Sequence, residues 1–510
     1  MQKTGKLELT WVGKYDEKKI EPRILVEDTS KSYGDPSSKN MLIHGDNLIA
    51  LQSLQQDFLG RIKCVYIDPP YNTGSAFEQY DDGIEHSIWL SMMYSRLKLI
   101  YELLSEDGTL WINLDDNEAH YCKIICDEIF QRNNFMADIT WEKADSPKMD
   151  AKGFSSRSDH LLVYAKNSDL VNLKRLASQE IPKHYNKIDD DGRAYYLKPL
   201  RAMGVDGYRE KRPSLYFPVE APDGELVYPK NPDGSDSRWR WSKEKVEQDR
   251  NKLEWVKGKK GWSLYFRIFY EDSEGTPPET IWKCADVGSN RTSKKESKDL
   301  FGSNSFDTPK PEGLIKRIFD IVTEPGDIIL DSFLGSGTSC AVAHKMNLQW
   351  IGIEQGEQVY THCKIRLDKV VDGEQGGISK DVKWQGGGGY HFYELAPSLL
   401  VKNSKLPIYQ INPLYTFDML CNAICKIEGF RFKVQDIFHG YSSEKRFIHI
   451  TKEFINAEYI KSLSARLSED QSLLVYGIKI QSDLVLPENI EVKRIPKDLL
   501  DKCDFESEVQ

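Results

Sequence analysis

The chain has 510 residues, 39% hydrophobic, 29% charged and 11% aromatic, an ordinary globular composition long enough for about three domains. A formal net charge of −10 argues against a protein that simply coats nucleic acid, and no run of 18 apolar residues is present to span a membrane. The polar start MQKTGKLELTWVGKY lacks an apolar signal core, and nine scattered cysteines suggest neither a disulfide framework nor a metal site, so a reducing, cytoplasmic compartment is expected.

After an N-terminal extension (1–40), the segment 41–71 reads as strand, helix, strand: apolar Met41–His44, a helical pattern from Asp46 to Phe58, then apolar Ile62–Ile67. Residues 86–104 have helical periodicity with Gly108 at the stop. Thr109–Leu114 is a strand, 117–130 a helix, and Ile139–Trp141 and His160–Ala165 are further strands. This alternation predicts an α/β doubly wound sheet. From about 168 to 300 the rhythm fails, and turn signals (DDDG, APDGE, NPDGSD) crowd among short aromatic stretches, which predicts a β-leaning insert. The α/β pattern resumes over 301–372 with helix 311–323, strand 327–331, helix 338–346, strand 350–353 and helix 355–369. A Gly-rich bridge (373–395) leads to a final α/β module, 396–510. Cys122/Cys126 and Cys421/Cys425, each four apart, suit buried helix faces, and His160 and His344 suit satisfied structural positions.

Two strand ends carry chemistry. Asp68-Pro69-Pro70-Tyr71 follows the apolar run IKCVYI. Two prolines fix the turn and withhold two N–H groups, while the carbonyls of Asp68 and Pro69 stay available. A carboxylate, a carbonyl and an aromatic face then meet beyond a strand's carboxyl end, where open α/β sheets bind ligands. An exocyclic aromatic amine needs such a site: two acceptors on its N–H groups favour the pyramidal geometry that frees its lone pair, and Tyr71 can stack on a flipped base. The second motif, Asp331 to Thr338 (DSFLGSGT), lies between a strand and a helix start. Its glycines admit close approach, and the helix N-terminus offers free N–H groups. Glu354 ends the next strand 19 residues beyond Gly335, placed for ribose hydroxyls. Cys340 replaces the third glycine of a dinucleotide fingerprint, and no GxxxxGK is present.

Together these motifs resemble the S-adenosylmethionine-dependent amino-methyltransferases of DNA. In that family DPPY and FxGxGT form catalytic and cofactor sites, and Phe333, Gly335, Gly337 and Thr338 match the second. The order of the two motifs is similar to the β class, which places a target-recognition domain between them. Thr308-Pro309-Lys310-Pro311 and His44-Gly45-Asp46-Asn47 resemble the family's other cofactor-side motifs, which implies that Lys310 and Asp46 approach the cofactor. DPPYNTG, WINLDD and WQGGGGYHFYEL further resemble the modification subunit of type III restriction systems. That resemblance implies N6-adenine methylation of double-stranded DNA, a homodimer and a helicase-nuclease restriction partner. The fold expected is a Rossmann-like methyltransferase sheet with an inserted recognition domain and a C-terminal contact module. N4-cytosine methylation, a recognition subunit that mainly directs a nuclease, and an RNA substrate remain alternatives. No cysteine follows a proline, so the Pro-Cys nucleophile of cytosine C5 methylation is missing.

For the insert, residues 171–270 carry 21 basic and 15 acidic side chains, a local excess of six against the acidic remainder. Arg238, Trp239, Arg240 and Trp241, with Lys257, Lys259 and Lys260, pair phosphate-binding with stacking side chains. Tryptophans in a small core with lysines at its rim would give the same pattern.

Overall fold

The structure, a computed structural model, describes residues 8–16, 19–72, 76–77, 80–81, 85–176, 181, 183–259, 261–270, 275–443 and 445–505. Two compact units result: residues 1–174 with 279–510, and 175–278.

In the first unit eleven described strands form one sheet. In chain order ten of them are β1 (Leu25–Glu27), β2 (Met41–His44), β3 (Ile62–Ile67), β4 (Leu104–Leu114), β5 (Phe135–Glu142), β6 (Ser158–Ala165), β7 (Ile281–Trp282), β8 (Ile328–Asp331), β9 (Gln349–Glu354) and β10 (Gly389–Leu395). Their spatial order is β1-β10-β2-β9-β8-β3-β4-β6-β5-β7. From β10 to β4 every pairing is parallel, and β4, β6 and β5 pair antiparallel. The sheet is therefore mixed, with a doubly wound parallel centre.

The apolar runs in the sequence lie where burial on both faces demands them: Val65, Ile67, Leu330, Ile351 and Ile353 are all buried. Around them lie α1 (Asn47–Phe58), α2 (His86–Leu103), α3 (Ala119–Cys126), α4 (Glu312–Val322), α5 (Thr338–Lys345) and α6 (Lys364–Val371). α1 starts where the Asp46 carboxylate accepts the Leu48 and Ile49 N–H groups at 2.9 and 3.1 Å. α4 follows Pro311 and buries Leu314, Ile315, Ile318 and Phe319, a helical spacing. Each such side chain contributes about 1.5–3 kcal/mol by leaving water. Cys122 and Cys126 are buried on α3, and Cys421 and Cys425 on Phe417–Ile427.

Residues 279–300, read from the sequence as part of the insert, belong to the first unit. β7 pairs parallel with β5, and the helix Asn290–Phe301 follows it. A two-residue strand has too little periodicity to be seen without its partner. Helix 117–130 divides into α3 and a wider turn over Asp127–Gln131, and helix 355–369 into a wider turn over Val359–Cys363 and α6. The C-terminal region has its own five-stranded sheet and core, yet it is continuous with the first unit. Glu21, 3% exposed, accepts the Leu399 N–H at 2.8 Å, and Ile24 lies in that core.

The second unit holds a four-stranded antiparallel sheet ordered Lys187–Ile188, Ala194–Pro199, Gly261–Phe269 and Leu253–Gly258.

Candidate active site

β3 and β8 are parallel neighbours, with Ile329 beside Cys64 and Leu330 beside Val65. Their carboxyl ends, Ile67 and Asp331, therefore reach one edge of the sheet together. From β3 the chain crosses to β4 on one side, and from β8 to β9 on the other. The crevice lies at this switch of direction, where parallel strands leave room for a ligand. Asp68, Pro69, Pro70 and Tyr71 line a cavity of about 330 Å³ there, with Lys310, Asp331, Phe333, Gly335 and Thr338.

The Asp68 turn is held from below. Trp89, fully buried on α2, donates its indole N–H to the Pro70 carbonyl at 2.8 Å. Asp68 Oδ2 pairs with the Lys310 ammonium, while Oδ1 is buried with no hydrogen-bond partner among the described residues. Burial raises the Asp68 carboxyl above the usual carboxylate range, and the Lys310 charge opposes that rise. The same ammonium lies 5.1 Å from the Tyr71 ring centroid. Tyr71 Oη accepts from the Asn113 amide and donates to Asp159 Oδ2 at 3.4 Å. Asp159, 3% exposed, is in turn paired with Lys143 at 2.6 Å.

The glycine turn is equally fixed. Asp331 accepts the Phe333 N–H at 2.9 Å and the Ser339 hydroxyl, and burial pushes its carboxyl up to about 7. Gly337, at φ +80°, precedes α5. A Cβ there would stand 3.2 Å from the Cys363 Cα, so backbone conformation and close approach both require glycine. Glu354 Oε2 accepts the Gly335 N–H at 2.7 Å, and Oε1 accepts from Gly356 and Gln358, each at 2.9 Å. Arg366, buried beneath, donates to Thr338 Oγ1 at 2.6 Å and pairs with the buried Glu312.

Trp239 departs from the expectation, and Glu354 and Asp46 make supporting contacts that the sequence did not predict. Glu354 does not line the cavity; its carboxylate clamps the turn. Asp46 is also absent from the lining, since it caps α1 and pairs with Arg96 at 3.2 Å. It supports the turn at one remove: Arg96 also holds Asn47, whose amide donates to the Ser332 carbonyl at 2.6 Å. Trp239, expected to stack, is 2% exposed in the core of the second unit beside Leu200 and Leu264, with its indole N–H on the Phe217 carbonyl. No base can reach it without unfolding that core.

Trp241 is half-buried against Phe266, with ring centroids 5.0 Å apart. Arg238 and Arg240 donate to the carbonyls of Asp206 and Pro199. Lys257 is exposed and pairs with Asp223 at 3.2 Å, Lys259 is exposed, and Lys260 lies outside the described residues. His160 meets the Asp138 carboxylate at 3.0 Å and His344 the Gly387 carbonyl at 2.9 Å.

Sequence reading missed Lys143 and Lys148, which line the cavity, and Asp159 behind Tyr71. They come from the β5–β6 hairpin, which has no motif. The only local signal was an acid, Asp159, entering an apolar strand.

A DNA methylase family profile, of the N6/N4 methyltransferase type, matches residues 62–364. The chain is 33% identical over 422 residues to the "Probable type III restriction-modification enzyme HindVI Mod subunit" of Haemophilus influenzae, covering 72% of this chain and 55% of that protein. It is 30% identical over 395 residues to the type III restriction-modification enzyme EcoPI Mod subunit of Escherichia phage P1 (66% and 61%). It is also 30% identical over 334 residues to the type II methyltransferase M.KpnI of Klebsiella pneumoniae (61% and 78%). The chain thus spans little more than half the length of the two Mod subunits.

Proposed function

The chain belongs to the N6/N4 DNA methylase family, and from that premise we propose that it transfers the methyl group of S-adenosylmethionine to N6 of a flipped adenine in double-stranded DNA. The carrying observation is the juxtaposition of Asp68, whose buried Oδ1 has no hydrogen-bond partner among the described residues, and the glycine turn across one cavity.

The residues fit the cofactor. Phe333 and Leu334 give an apolar wall, Asp331 an acid, and the start of α5 free N–H groups. S-adenosylmethionine supplies a methyl group made electrophilic by its sulfonium. Asp68 Oδ1 and the Pro69 carbonyl accept the two amine N–H groups and aim the nitrogen lone pair across the cavity. Tyr71 stacks on the base, and positioning supplies much of the rate. The Lys310 charge opposes the rise that burial imposes on Asp68 and so favours the carboxylate form, which accepts hydrogen bonds and then the amine proton.

Asp159 and Lys143 set the plane of Tyr71 through its hydroxyl. Asp159→Asn is expected to lower kcat about tenfold, and Tyr71→Phe by a similar factor. If Asp159 acts through Tyr71, the double variant is no worse than Tyr71→Phe alone. Multiplied losses in single-turnover kinetics would make Asp159 merely structural.

By its likeness to the Mod subunits we assign the chain to a type III-like restriction-modification system, as a homodimer with a helicase-nuclease partner, and residues 175–278 to target reading. Long-read sequencing of DNA from a methylation-free host expressing the chain tests this. N6-methyladenine in one fixed motif is expected, and exchange of 175–278 for a relative's insert is expected to change that motif. N4-methylcytosine would correct the base, and an unchanged motif would remove the reading role from the insert.

A further inference from the structure

The hairpin between β5 and β6 is built unlike an ordinary one. Antiparallel neighbours are usually joined by two to five residues, yet residues 143–157 intervene between Glu142 and Ser158. Lys143 and Lys148 of this loop line the cavity. The Lys148 N–H donates to Ser155 Oγ at 2.7 Å, which ties the far side of the loop to the cavity rim. The next residue back, Phe154, is fully exposed, and Met149 is 94% exposed. The loop also carries Lys152 and Arg157 against Asp145 and Asp150, a net positive charge. Its base is anchored, with the Arg157 guanidinium on the Glu142 carboxylate and the Ala144 carbonyl.

Two large apolar side chains beside a lysine-lined cavity mouth cost solubility and have no protein partner to cover them among the described residues. Resting on the methyltransferase reading, we propose that the loop 143–157 is the wedge that enters the DNA stack where the target base leaves it, Phe154 filling the gap and Lys148 and Lys152 meeting the flanking phosphates. The occupant follows from chemistry. A flipped base leaves an apolar slot bounded by two base faces and lined outside by phosphates, and an aromatic tip with cations beside it complements that slot. The loop is adjacent to the cavity that would receive the base, so one approach places both.

The test uses the full chain and a duplex carrying the methylated motif with 2-aminopurine at the target position. The unsubstituted chain is expected to raise its fluorescence on binding. Phe154→Ala is expected to lose most of that rise and about tenfold in duplex affinity, with cofactor affinity unchanged by calorimetry. Phe154→Trp is expected to keep the rise. On a duplex whose target is already mismatched, Phe154→Ala is expected to recover most of its methylation rate, because little extrusion remains to be stabilised. Equal fluorescence and equal affinity for Phe154→Ala and the parent would overturn the wedge. So would a variant that methylates normally but has lost self-association or binding to a protein partner, since the apolar tip would then be a protein-docking surface. An unsubstituted chain that methylates no DNA defeats the methyltransferase reading itself, and the wedge falls with it.

Discussion

Asp68→Ala is expected to lower methyl transfer by about three orders of magnitude or more while cofactor binding survives. The acceptor pair on the amine is removed, and a positioned acid or base contributes about 10²–10⁴ in rate. The side chain sits across the cavity from the glycine turn, in contact with Lys310 and beside Tyr71, so its loss leaves the Asp331 and Phe333 side intact. Asp68→Asn separates geometry from charge. The amide oxygen still accepts one N–H, but the charge that balances Lys310 is gone, so an intermediate rate is expected. Transfer of labelled methyl groups to DNA under single-turnover conditions reads the chemistry, and calorimetry with the cofactor reads binding. A normal rate in Asp68→Ala would place the acceptor elsewhere.

The second large effect falls on the cofactor side. Asp331→Ala is expected to weaken cofactor binding about tenfold to a hundredfold, because a buried acid that orders the turn through Phe333 and Ser339 is lost. Glu354→Ala should do the same by a different route, since it frees the Gly335 N–H. Glu354→Gln still offers an acceptor to that N–H and should recover part of the affinity, which a direct ribose contact by both carboxylate oxygens would not allow. Asp331 also makes a pH prediction. Its folded carboxyl titrates at about 7, above the unfolded value of 3.8, so the folded chain holds a proton that the unfolded chain has lost between those values. Stability from this group is complete below pH 4 and lost as pH rises through 7, on the order of 4 kcal/mol at most. Asp331→Asn should therefore gain in Tm over the parent at pH 8 and not at pH 4. A constant difference across that range would mean that Asp331 is already charged in the fold.

Much of this was legible in the chain. Runs such as IKCVYI, DIIL and WIGIE are read as buried strands because successive side chains point to opposite faces, so a short unbroken apolar run suits a strand covered on both. α4 is read as a helix because its apolar residues recur at three and four. DPPY and the glycine turn are legible for a similar reason: proline and glycine restrict or release the backbone locally, whatever surrounds them.

What the sequence by itself determined is therefore local: the elements, their order, and the chemical character of each strand end. The tertiary structure alone decided what meets what. It set β8 between β3 and β9, which brings Asp331 to Asp68 and lets Lys310 pair with that carboxylate. It folded the β5–β6 hairpin onto Tyr71 through Asp159, put Trp239 inside a core, and gave Asp46 and Glu354 supporting contacts beneath the glycine turn. The reason is physical. Periodicity and turn chemistry act over a few residues, whereas strand order and the burial of a single side chain are fixed by packing among segments hundreds of residues apart, and no local pattern records that packing.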